Sequence, residues 1–168
     1  MSATPIALAD AVAAVINTAV AAVALETVGF TARRSYPDWD DEFKDLSGLA
    51  VDVVFVSSGG DQVELDSEST IDTEPSVDIA IRKRFAPADR ETTGRLKNTS
   101  VDPMIKLVEQ VHELAAGDRM TAIELTAGTI YANWIGATVR TYCDYRRLRE
   151  GNFLGVVRVR FDVSKAVP

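Results

Sequence analysis

"NFLGVVRVRFDV" (residues 152–163) alternates without a fault: Phe153, Gly155, Val157, Val159, Phe161 and Val163 fall on one side, Asn152, Leu154, Val156, Arg158, Arg160 and Asp162 on the other. A period of two is that of a β-strand. It predicts Phe153, Val157, Val159 and Phe161 in a core, with Arg158 and Arg160 turned toward a neighbour or a channel, because a one-residue slip would reverse both sets. At about 3.3 Å per residue the strand would be about 40 Å long, roughly twice the usual length. Part of it is therefore expected to leave its own sheet and meet something else.

Upstream, the same alternation recurs in shorter runs. Val77, Ile79 and Ile81 alternate with Asp78, Ala80 and Arg82 before "RKRF" (82–85). Leu49, Val51, Val53 and Phe55 alternate with Ala50, Asp52, Val54 and Val56. Val28, Phe30, Ala32 and Tyr36 share one side of a strand that Pro37 ends. Residues 134–142 read as a further strand, and "MTAIEL" (120–125) as a short one.

Two segments carry the helical period instead. Thr4 and Pro5 start a stripe through Leu8, Val12, Val15, Ile16, Ala19 and Val23, ending near 25–27. Asp102 and Pro103 start another through Met104, Leu107, Val108, Val111, Leu114 and Ala115, closed by Gly117. The first stripe is alanine-rich, has no basic leader and contains Asp10 and Asn17, so it reads as an amphipathic helix and no membrane is expected. The order helix, three strands, helix, strands gives an α+β fold: a mainly antiparallel sheet of about five strands with two helices packed on one face. Residues 1–168 read as one domain, with a long flexible loop at about 57–75.

The chemistry-bearing residues do not assemble into a catalytic pattern. His112 borders the second helix's apolar stripe without a nucleophile in view, and Cys143, the single cysteine, sits among Tyr142, Asp144 and Tyr145 outside any nucleophile motif. "DWDDEF" (38–43) clusters carboxylates but lacks the glycine and terminal glutamate of a calcium loop, and "SSGGD" (57–61) lacks the lysine of a phosphate loop. No enzyme, no metal and no cofactor is expected. The net charge of −7 argues against a general nucleic-acid binder, leaving at most transient passage of DNA.

What remains is the segregation of charge. Between Asp38 and Asp78 acidic residues dominate and Lys44 is the only basic one, whereas "RKRF" and "YRRLRE" (145–150) are strongly basic. A solvated face is the usual explanation. The other reading is docking, since copies bearing opposite patches attract head to tail. On that reading the interface residues are Trp39, Asp40, Asp41, Arg82, Lys83, Arg84, Arg146, Arg147, Arg149, Arg158 and Arg160.

The layout resembles the tail-completion or tail-terminator proteins of long-tailed bacteriophages. Phe30, Ala32, Arg33, Tyr36 and Pro37 are similar to that family's "F…A.R.Y.P" strand, and Asp45, Leu46, Leu49, Val51, Val53 and Val54 to its "DL..L.V.VV" strand. Val77, Ile79, Ile81, Lys83 and Arg84 resemble "Y.I.I.I.KR", and Leu107, Val108, Val111 and Leu114 the later helix. Leu148, Arg149, Glu150, Asn152, Phe153, Val156, Val157, Val159, Phe161 and Val163 resemble the closing "LRE..QF.SV..L.Y.V". Residues 59–75 and 119–130 match nothing in the family. The resemblance implies a structural virion protein of the neck or upper tail, forming a homo-oligomeric, six-fold ring. Such a ring caps the tail tube, meets the tail tube protein and the head-tail connector protein, and has no catalytic residues. A head-closure or adaptor neck protein is the neighbouring alternative, and a small metal- or ligand-binding domain using the acidic loop is the alternative from another class.

Overall fold

The computed structural model describes residues 4–27, 29–36, 43, 46–56, 75–117, 123–126 and 130–165. Among them are helices α1 (Thr4–Ala21), α2 (Asn98–Ala116) and α3 (Tyr145–Arg149), and strands β1 (Ala32–Arg34), β2 (Leu49–Val56), β3 (Ser76–Arg84), β4 (Ile123–Thr126), β5 (Ile130–Thr141) and β6 (Asn152–Lys165). The strands form one sheet in the order β1-β2-β3-β6-β5-β4, antiparallel at every junction except β1 with β2. The α+β class with a mainly antiparallel sheet is as the alternation predicts. Of the long loop expected at about 57–75, residues 57–74 lie outside the described residues.

β6 is the strand on which the sheet is assembled. Residues 152–160 pair with β3 and residues 156–165 with β5, so the strand is paired along its whole length and stays in its own sheet, contrary to the expectation that part of it leaves. Its unusual length is used to join two partners that overlap only in the middle. Phe153, Val157, Val159 and Phe161 are fully buried, aligned with Ile79 and Val77 on one side and with Val139, Ala137 and Trp134 on the other.

Both long helices cover this face. α1 touches β1, β2 and, across the sheet, β4, while α2 lies on β5 and β6. Contact of α1 with both edges means that the sheet curls around it. Gly155 marks where α2 comes closest: a Cβ there would stand 2.4 Å from Val108 Cγ2 and 3.2 Å from the Tyr142 carbonyl oxygen. The six expected stripe residues of α2 are all buried.

The two polar residues that separate α1 from a membrane-type segment fasten it to the sheet edge. Asn17 donates to the Ala32 carbonyl at 2.9 Å and accepts from the Ala32 N–H at 2.7 Å, satisfying the outward-facing backbone of edge strand β1. Asp10 pairs with Arg34 at 2.9 Å. No helix among the described residues is long and apolar enough to cross a membrane.

Several boundaries differ from the sequence reading, each for a local reason. α1 ends at Ala21 because Val23, with φ of 53°, closes it: the Val23 N–H donates to the Val20 carbonyl and the Ala24 N–H to the Ala19 carbonyl. The first strand shrinks to three residues, and Tyr36, expected on its inner side, is exposed. α2 begins four residues before Asp102 and takes Pro103 inside. Its entry is fixed by Asp89 of the 3-10 turn Pro87–Asp89, whose carboxylate accepts from the Ser100 hydroxyl and from the Ala86 N–H, both at 2.8 Å. α3 has no apolar period to announce it; Asp144 caps it by accepting from the N–H groups of Arg146 and Arg147.

Two substitutions check this packing in opposite directions. Gly155→Ala pushes α2 off the sheet and should lower stability by about 1–3 kcal/mol. Val23→Gly removes a β-branched residue from the left-handed region at an exposed site and should raise it by up to about 1 kcal/mol. Urea unfolding of the two variants against wild type reads both signs.

Candidate functional site

The face of the sheet away from α1 and α2 carries the charges. Cross-strand register places Asp52 opposite Ala80, Arg82 between Ala50 and Leu154, Asp78 between Val54 and Arg158, and Arg160 beside Ser76. These positions alternate with the core residues, so the same pleat that buries the valines brings every one of these groups to a single surface.

At the β3 end near Arg84 this surface is covered. Asp52 and Arg82 are buried, and Arg82 Nε donates to Asp52 Oδ2 at 3.0 Å while its Nη2 reaches the same oxygen. Arg33 Nε, on a mostly exposed side chain, approaches the other oxygen at 3.4 Å. The carboxylate thus ties β1, β2 and β3 together. Above it the buried Phe43 ring lies 5.9 Å from the Arg82 guanidinium and 5.5 Å from that of Arg147 in α3. Arg82 was expected on an exposed docking patch; the alternation placed it on the correct face, but Phe43 and α3 roof that part of the face, so it is a structural cation.

Arg158 needs the same correction in part. It is half-buried and donates to both oxygens of Asp78, at 2.7 and 2.8 Å, and this pairing raises its pKa. A bidentate partner in its own chain leaves it little capacity for a neighbour. Arg160, exposed, is the arginine of this strand that faces outward freely. Lys83 is half-buried on the helix side with its Nζ 5.2 Å from the Phe85 ring, and Arg147 is half-buried with Glu150 at 3.6 Å. Trp39, Asp40 and Asp41 lie outside the described residues.

Arg84, Arg146 and Arg149 are exposed at one end of the sheet, where β3 finishes and α3 turns into β6. Sequence reading missed two groups that join them. The Thr93–Gly94 turn, with Gly94 at φ of 84°, folds residues 90–96 into a small hairpin in which Arg90 bridges Leu96 and the Glu91 N–H donates to the Arg95 carbonyl at 2.7 Å. The signal was present as a glycine turn between two arginines. Between this hairpin, α3 and the start of α2 runs a groove of about 570 Å3, with Arg90, Arg95 and Arg149 on its walls, Leu96, Leu148 and Tyr145 as apolar lining, and Asp102 as its one carboxylate. Tyr145 is 75% exposed. An open groove with three guanidiniums and an apolar floor suits an extended acidic segment.

The remaining reactive side chains have ordinary roles. His112 Nε2 lies 3.3 Å from the Ala137 carbonyl, at the margin of the α2 and β5 contact. Burial, with the Asp144 charge beside it, pushes the Cys143 thiol up, away from the thiolate form. Among the described residues no three His, Cys, Asp or Glu side chains are grouped to hold a metal ion. No family model, curated protein or solved structure matches the chain.

Removing one partner of the buried pair leaves a charge without compensation. Asp52→Ala should cost about 3–5 kcal/mol, while Asp52→Leu combined with Arg82→Met should recover most of it. A double-mutant cycle by chemical unfolding measures both. Asp89 predicts a pH effect: the Ser100 hydroxyl, then the Ala86 N–H, hold its pKa below the ordinary carboxylate value. Its contribution is complete above the unfolded-state pKa and lost as pH falls through the lowered folded value, so Asp89→Asn should flatten the acid side of a stability-pH curve.

Proposed function

We propose that this chain is a structural subunit of a tailed-phage neck: a tail-terminator or tail-completion protein that closes a homo-oligomeric ring on the tail tube and offers the opposite side to the head connector. The observation that carries the reading is that the elements holding the described residues similar to that family are neighbours in space. These elements are β1, β2, β3, α2, the end of α3 and β6, whose inner sides pack as one unit around Ile79, Val108 and Val157. A scattered likeness would have fallen on separate surfaces.

The surface chemistry supports binding as the mechanism. Charged and aromatic groups are displayed at one end of the sheet, and opposite charges are concentrated in the sequence that leaves from the other. Two unlike patches on one chain give a heterologous contact, and such contacts generate rings when the rotation closes. Individually weak contacts repeated around a ring hold together, so a small subunit suffices. In this role the protein is a component of the virion, at the neck or upper tail.

Purified protein added to tail tubes should sediment with them, form rings at one tube end in negative stain and halt elongation there. Bare tube ends that go on growing contradict the terminator assignment; rings that bind isolated connectors and ignore tubes assign the chain to head closure.

A further inference from the structure

Resting on the ring reading, we infer that the groove between the 90–96 hairpin and α3 receives the acidic segment 57–74 of a second copy of this chain, and that this contact sets the head-to-tail direction of the ring. The groove displays Arg90, Arg95 and Arg149 beside Tyr145. Among the described residues neither Arg95 nor Arg149 makes an ion pair. The segment between β2 and β3 carries Asp61, Glu64, Asp66, Glu68, Asp72 and Glu74 with no basic residue. Val63, Leu65 and Ile71 are interspersed and match the groove's apolar lining.

Geometry favours a second copy over the chain's own groove. The segment departs after Val56 and returns at Pro75, beside the end of β3 where Ser76 pairs with Arg160. The groove lies past the other end, beyond Arg84. β3 spans about 27 Å at about 3.3 Å per residue. A segment that must go out and return reaches about 30 Å at full extension. Almost all of that reach would be spent travelling along the sheet, with nothing left to lie in the groove. A neighbour related head to tail brings the two ends together without stretching either. A nucleic acid is disfavoured as the occupant because the six carboxylates of segment 57–74, which supply most of the chain's net charge of −7, compete with phosphate for the same guanidiniums.

The test is a charge swap in the full-length chain, read by sedimentation velocity at high protein concentration without tubes. Wild type should self-associate, with affinity falling at least about tenfold between about 0.05 M and about 0.5 M salt. Arg95→Glu with Arg149→Glu should abolish association at unchanged thermal unfolding. So should Asp61→Lys with Glu64→Lys, Asp66→Lys and Glu68→Lys. A mixture of the two variants should associate with one-to-one stoichiometry, the two kinds alternating head to tail, and a chain carrying both sets should recover wild-type behaviour. Wild-type association that survives the groove substitutions, or swapped chains that do not recover, overturns the inference. An equal loss from Arg160→Glu, outside the groove, overturns it too, because net charge would then explain the result. Groove-dependent binding of a DNA duplex at physiological salt with no self-association would assign the groove to nucleic acid and likewise overturn it. Since no tube is present, these failures are separate from failure to cap tubes.

Discussion

The structure depends on one constraint: β6 must be paired on both edges while keeping every second side chain in the core. β3 and β5 overlap on it only across residues 156–160, so its fourteen residues join two halves of the sheet that otherwise have little in common. The valines and phenylalanines of its inner side give α2 its seat, and Gly155 sets how closely that helix can approach. The same alternation sends Arg158 and Arg160 to the opposite face. Burial and display are therefore one choice of register.

The outer face is divided by what covers it. Where Phe43 and α3 lie over the strands, charge is internal and structural: Asp52 between Arg82 and Arg33 draws three strands together. Elsewhere the face is open and its charges are either paired within the sheet, as Arg158 with Asp78, or displayed, as Arg160. A buried ion pair of this kind contributes more to fixing register than to net stability, because desolvation offsets most of its attraction. The polarity of the chain follows from the hairpin of β2 and β3: it sends the acidic segment out at one end and delivers the chain to the basic groove at the other.

Most of the architecture was legible because it is written in two periods. Strands β2, β3 and β6 and the buried stripe of α2 follow from alternation and from the helical repeat. What escaped has local causes without period. The left-handed Val23 shortens α1, a carboxylate on the preceding turn starts α2 ahead of Pro103, and a single cap residue, Asp144, suffices for the five residues of α3. The site was half legible. Periodicity assigns Arg82 to a face but says nothing of what roofs that face. The groove needs Arg90 and Arg95 from one loop beside Arg149 from another, a juxtaposition created by folding.

Placing this chain in a reconstructed particle tests the central claim most directly. An electron cryo-microscopy map of intact virions, calculated without imposed symmetry at the neck, should show copies of this fold in a closed ring between tail tube and connector. Neighbouring copies should be related head to tail, with the α3 end of each facing the β2–β3 hairpin end of the next. A particle that lacks the chain, or holds it as isolated copies away from the neck, would contradict the account.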